Sequence, residues 1–133
     1  MKTDGLQNIL IVDDEEDIAM ILKEMLENSG FDVDTFTNSE EALQHFKFRE
    51  KKYSLVISDI RMPGVSGIQL AKRIKSIDPS IKIILLTAFE INKSEFDKVM
   101  DYKNVDGFIQ KPVSMERLNR EVSRCLGGSI ESG

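Results

Sequence analysis

The chain has 133 residues, with 18 Lys and Arg against 23 Asp and Glu, a formal net charge of −5. That length suits one domain with its own core and leaves little room for a second, and the acidic balance argues against a general nucleic-acid surface, which needs a basic patch. The lone cysteine, Cys125, excludes a disulfide framework or a thiolate zinc site within one chain and suits a reducing compartment; residues 1–5 lack the apolar core of a signal peptide, and no apolar run approaches the roughly 20 residues that span a bilayer.

The first apolar run, Ile9-Leu10-Ile11-Val12, is short, β-branched and continuous, the pattern of a strand buried on both faces of a parallel sheet. Ile18, Ile21, Leu22, Met25 and Leu26 follow at helical spacing on one face, and Gly30 is placed to stop that helix. Residues 31–36 mix Phe31, Val33 and Phe36 with Asp32 and Asp34, as a half-exposed edge strand does. Asn38 with Glu41 reads as a capping box for a helix carrying Ala42, Leu43 and Phe46. Leu55-Val56-Ile57 is the next buried strand, and Leu70, Ala71, Ile74 and Ile77 make a third helical stripe ended by Asp78-Pro79. Ile83-Ile84-Leu85-Leu86 is a fourth strand. Residues 93–102, with Phe96, Val99 and Met100, predict a fourth helix, and Phe108-Ile109 a short fifth strand. Met115, Leu118, Val122 and Cys125 predict a last helix with Ser114 as its N-cap. Residues 1–126 then form the domain, and residues 127–133 read as a flexible tail or the start of a linker.

Strand and helix alternate five times. That order predicts an α/β sandwich of three layers, with helices on both faces of a five-stranded parallel sheet. Right-handed crossovers restrict it to doubly wound forms. An edge position for residues 31–36 agrees with the order 2-1-3-4-5, in which strands 1 and 3 adjoin where strand order reverses; ligands bind there, beyond the carboxyl ends of the strands. The residues that follow each apolar run are Asp13-Asp14, Ser58-Asp59, Thr87-Ala88 and Gln110-Lys111-Pro112. Carboxylates crowded at one edge repel, and a divalent cation relieves the repulsion; an all-oxygen set selects Mg2+ or a similar hard ion such as Mn2+. Asp59 beside such an ion is a candidate nucleophile that forms an acyl phosphate, with Lys111 and Thr87 offering a cation and a hydroxyl to phosphoryl oxygens. Pro63-Gly64 and Gly67 shape the loop after Asp59 for close backbone approach.

Taken singly, these residues have plainer readings. Asp13-Asp14 alone would cap a helix, Thr87 would end a strand, and Lys111 would be a solvated lysine. Glu15-Glu16-Asp17 reads mostly as a solvated helix start that assists a cation at long range. His45 reads as a partly exposed surface residue rather than a phosphotransfer histidine, and Cys125 as inert packing.

Together, Asp13-Asp14, the segment Ser58-Asp59-Ile60-Arg61-Met62-Pro63-Gly64, Thr87-Ala88 and Lys111-Pro112 resemble the receiver domain of two-component response regulators, over about residues 6–126. The resemblance implies a flavodoxin-like fold and phosphorylation of Asp59 from a phosphohistidine, on a sensor histidine kinase or a phosphotransfer protein. It implies that Asp14 and Asp59 ligate Mg2+ (or Mn2+) directly, that Asp13 acts largely through water, and that the Arg61 backbone carbonyl completes the protein ligands. It also implies a cis peptide before Pro112. On phosphorylation Thr87 would move toward the phosphoryl group and Phe108 would turn inward, repacking the surface of the predicted helix over 93–102, the fifth strand and the last helix. The implied protein is a cytoplasmic phosphoacceptor that catalyses only its own phosphorylation and dephosphorylation. It would act on a downstream protein target without touching nucleic acid or membrane through this segment, as a monomer or a phosphorylation-dependent dimer.

The chain departs from the family pattern at Phe108, where a tyrosine is frequent, and in a slightly longer stretch between Thr87 and Lys111. Phe89 and Arg61 should flank the phosphoryl group and restrict the attacking water. A Mg2+-dependent aspartyl phosphohydrolase of the haloacid dehalogenase type fits poorly, because that class places its nucleophile and acid two residues apart after one strand. A degenerate receiver acting only as a binding module would not need an intact set of site residues.

Overall fold

The computed structural model describes residues 7–49, 52–88 and 105–127. Each apolar run forms a strand: β1 Asn8–Val12, β2 Asp32–Phe36, β3 Leu55–Asp59, β4 Lys82–Thr87 and β5 Gly107–Gln110. They pair in parallel in the order β2-β1-β3-β4-β5, with β2 at the edge as the mixed character of residues 31–36 predicts. Among the described residues the helices are α1 Glu16–Asn28, α2 Ser39–Phe48, α3 Gly67–Ile77 and α4 Met115–Cys125. The helix expected over residues 93–102, Phe89 and the expected tail past residue 127 lie outside the described residues.

Side-chain alternation along the strands divides the core in two. Leu10, Val12, Val56, Ile83 and Leu85 pack against Ala42, Leu43 and Phe46 of α2 and Leu70, Ala71 and Ile74 of α3. Ile9, Ile11, Leu55, Ile57, Ile84, Leu86 and Ile109 pack on the other face against Ala19, Leu22 and Leu26 of α1 and Leu118 and Val122 of α4. Burial on both faces explains why the central strands read as unbroken apolar runs.

Two predicted caps form, and the box expected at Asn38 and Glu41 forms as its N-cap half. Asn38 accepts from the Glu41 N–H at 2.9 Å, Ser114 accepts from the Arg117 N–H at 3.1 Å, and Gly30 takes φ 97° just past α1, a backbone shape that favours glycine. A reciprocal box between Ser66 and Gln69, not foreseen from the sequence, starts α3. One stripe residue differs from expectation. Ile21 is 48% exposed, because Ala19, Leu22 and Leu26 make the buried line of α1 and rotate Ile21 to its rim.

Gly67 fixes the loop after Asp59. Its N–H donates to the Ile60 carbonyl at 2.8 Å, and a Cβ there would lie 2.0 Å from the Asp59 carbonyl oxygen. That neighbour is backbone and cannot yield locally. Gly67→Ala should therefore cost about 3 kcal/mol in a denaturant titration, the upper end of the usual range for overpacking.

Candidate functional site

Alternation and register bring the polar strand ends together. Ile9 and Ile11 point into the α1/α4 core, and Asp13 is the next residue in that rhythm; Leu55, Ile57 and Asp59 follow the same rhythm on β3. Val12 pairs with Ser58, so the ladder extended by one step sets Asp13 beside Asp59. On β5 Ile109 enters the same core, and Lys111 comes two residues later. The Lys111 N–H donates to the Thr87 carbonyl at 2.7 Å, which ties the ends of β4 and β5. The Lys111–Pro112 peptide is cis, as the resemblance implies.

The result is one lysine among carboxylates. Lys111 Nζ lies 3.1 Å from Asp13 Oδ2, 3.4 Å from Asp59 Oδ2 and 3.4 Å from Glu15 Oε1. Asp13 Oδ1 accepts from the Glu15 N–H at 2.9 Å, but the N-cap position of α1 is Glu15, so neither Asp13 nor Asp14 caps the helix as the plain reading has it. Asp59 Oδ1 accepts from the Ile60 N–H at 3.1 Å, and that N–H is also 3.0 Å from the Leu86 carbonyl. Asp13 is fully buried, Asp59 is 7% exposed and Asp14 is open to solvent.

Burial pushes the Asp59 carboxyl above the usual carboxylate range; Lys111 opposes this, and the charges of Asp13 and Asp14 add to it. Burial acts to lower the Lys111 ammonium, but Asp13, Asp59 and Glu15 together hold it above the ordinary lysine value. Because Asp59 titrates higher folded than unfolded, its charge disfavours folding at neutral pH. Asp59→Asn should raise the melting temperature of the metal-free protein by a few degrees at pH 7. The gain should shrink as pH falls through the folded Asp59 value toward 3.8. Melting curves across that range check it.

One oxygen of each of Asp13, Asp14 and Asp59 lies within 4.8 Å of the others. Asp13 Oδ2 is buried, with no hydrogen bond to the protein and only the ion pair with Lys111 Nζ at 3.1 Å to offset its charge. A buried carboxylate oxygen left in that condition, in an all-oxygen set, fits a hard divalent cation.

The remaining expected residues fall close by. Arg61 sits two residues past Asp59, in the loop that Gly67 anchors. Thr87 ends β4 opposite Gln110, and Phe108 lies opposite Leu85, packed on the α2/α3 core. His45 is half-buried; its Nε2 is 2.8 Å from the Tyr53 hydroxyl, which donates to Asp34. That cluster braces α2 on β2 and takes no part in the carboxylate site. Cys125 is buried, and burial pushes its thiol up, in keeping with packing. The contact missed from the sequence is Glu15 to Lys111. Its only signal was a third acid directly after Asp13-Asp14.

A family model described as the response regulator receiver domain matches residues 9–123. The chain is 36% identical over 121 residues to the alkaline phosphatase synthesis transcriptional regulatory protein PhoP of Bacillus subtilis, covering 90% of this chain and 48% of that protein. It is 32% identical over 123 residues to the response regulator receiver protein CpdR of Brucella abortus, covering 91% of this chain and 98% of that protein. It thus spans about half the length of the first relative and nearly all of the second. Among solved structures, Thermotoga maritima response regulator TrrA in complex with Mg2+-BeF matches with TM-score 0.78 and 39% identity, over 91% of this chain and all of that one. Vibrio cholerae chemotaxis protein CheY4 matches with TM-score 0.82 and 25% identity, over 92% of this chain and all of that one. A shared fold, a strand-end carboxylate cluster and a family match over most of the sequence agree, and the chain belongs to the response regulator receiver domains of two-component systems, whose general function is phosphorylation on an aspartate.

Proposed function

We propose that Asp59 is the phosphoacceptor, and that it takes its phosphoryl group from a phosphohistidine on a sensor histidine kinase or a phosphotransfer protein. In the transfer an Asp59 carboxylate oxygen forms a bond to phosphorus, the phosphorus–nitrogen bond breaks, and the released imidazole nitrogen takes up a proton. Asp14, Asp59 and the Arg61 carbonyl, with Asp13 behind them, would hold Mg2+ or Mn2+. When bound, the ion neutralises charge on the transferring phosphoryl oxygens. Lys111 supplies a second positive charge from the β5 side, and Thr87 a hydroxyl. The observation that carries the reading is the buried Asp13 Oδ2, which lacks a hydrogen bond and lies in one oxygen cluster with Asp14 and Asp59.

In this reading the domain covers residues 1–126 and performs no turnover on an external substrate. It resides in the cytoplasm and acts through a protein target, as a monomer or a dimer formed on phosphorylation. No helix among the described residues is long and apolar enough to cross a membrane. Thr87 and Phe108 carry the switch. Phe108 already packs on the α2/α3 core beside Leu85, so a shift of Thr87 on the adjacent strand would change the space open to the ring. Moving such a switch from 1:99 to 99:1 takes about 5.5 kcal/mol of differential stabilisation.

Incubation with acetyl phosphate and Mg2+, followed by intact mass measurement, tests the reading. One adduct of about 80 Da, absent in Asp59→Asn and absent with chelator, is expected. Continuous phosphate release from an unrelated phosphoester would instead mark a hydrolase, and no adduct would mark a binding module.

A further inference from the structure

We propose that Glu15 is a positioning residue for Lys111: its carboxylate receives the ammonium when a divalent cation takes over the oxygens of Asp13 and Asp59. This rests on the reading above that the cluster holds such a cation. Lys111 Nζ stands 3.1 Å from Asp13 Oδ2 and 3.4 Å from Asp59 Oδ2, and both residues supply oxygens to the group that also includes Asp14. A divalent cation on these carboxylates repels the nearby ammonium and competes for the same negative charge, which drives Lys111 toward a carboxylate outside the group. The Lys111 side chain is only 11% exposed, and a charge displaced there needs another partner. Glu15 Oε1, 3.4 Å away, is that partner and lies outside the Asp13, Asp14 and Asp59 group.

Its backbone is pinned while its side chain is not. The Glu15 N–H donates to Asp13 Oδ1 at 2.9 Å, and its carbonyl accepts from the N–H groups of Ile18 and Ala19 at 3.1 Å each. The side chain is 65% exposed and can follow the ammonium outward. Asp13 and Asp59 offer Lys111 two further carboxylates; with a cation bound to them, Glu15 would become its main one. Glu15 therefore favours the loaded state. Because an exposed ion pair contributes little, the effect on Mg2+ affinity is about three- to fivefold.

Calorimetric titration of the full chain with Mg2+ tests this in the wild type, Glu15→Gln, Glu15→Asp, Lys111→Met and the Glu15→Gln/Lys111→Met double variant. Melting curves confirm that each is folded, and methionine keeps the apolar stem of the lysine. Glu15→Gln should weaken binding about three- to fivefold in the wild-type background and leave it nearly unchanged in the Lys111→Met background, the signature of a coupled pair. Glu15→Asp keeps the charge but loses reach, so it should resemble Glu15→Gln. Equal losses in both backgrounds, wild-type affinity in Glu15→Asp, or no loss in Glu15→Gln would each overturn the inference and leave the metal reading standing. A wild-type chain that binds no Mg2+ would overturn the metal reading, and this inference with it.

Discussion

Asp14→Asn is expected to weaken Mg2+ binding at least about tenfold and to slow formation of the phosphorylated species to a similar degree. Even groups behind the first ligands change metal affinity about 10- to 100-fold, and a direct carboxylate should do no less. Asp14 is the cleanest position for the test. It is solvent-exposed, whereas Asp13 is fully buried and tied to Lys111 and to the start of α1. The fold should survive Asp14→Asn, so the melting temperature without metal should stay near wild type while the Mg2+-induced rise shrinks. A site that binds its target without metal or phosphate would show neither change.

Lys111→Met is expected to separate stability from metal binding. The ammonium is the counter-charge for a fully buried Asp13 and a largely buried Asp59. Removing one partner of a buried charge set costs about 3 kcal/mol, roughly a 10 °C drop in melting temperature for a domain of this size. Mg2+ should recover most of that loss and bind more tightly than to wild type, since no ammonium competes for the oxygens. Phosphorylation of Asp59 should still occur, slowed by loss of a positive charge at the phosphoryl oxygens. The wild-type contribution of Lys111 should persist at neutral pH and fade only above the ordinary lysine value of 10.5, because its folded value is raised. Melting curves with and without Mg2+ distinguish these effects.

The fold was legible because parallel strands covered on both faces must be continuously apolar. Ile9 to Val12 and Ile83 to Leu86 cannot satisfy that condition as anything shorter-ranged. Residues 32–36 revealed their edge position because Asp32 and Asp34 need solvent. The convergence of the polar strand ends was legible through a two-residue rhythm, since Asp13 and Lys111 continue the buried series of β1 and β5 just past those strands and Asp59 ends the series of β3. The position of Ile21 was not legible, because Ala19 is small enough to look neutral on a helical wheel while still defining the buried line. Glu15 was also missed. Its contact with Lys111 depends on how the chain turns from β1 into α1, where the Asp13 side chain accepts from the Glu15 N–H. The Ser66–Gln69 box escaped notice because Ser66 lies within a loop already marked by Pro63 and Gly64.

Borohydride reduction of the phosphorylated chain tests the central claim most directly. It converts an aspartyl phosphate to homoserine, which peptide sequencing by mass spectrometry then locates. Homoserine at position 59, formed only when Mg2+ or Mn2+ is present, is the expected result. Homoserine at another aspartate, a modification retained on His45, or labelling that ignores chelation would contradict a carboxylate cluster that binds a hard cation to make Asp59 reactive.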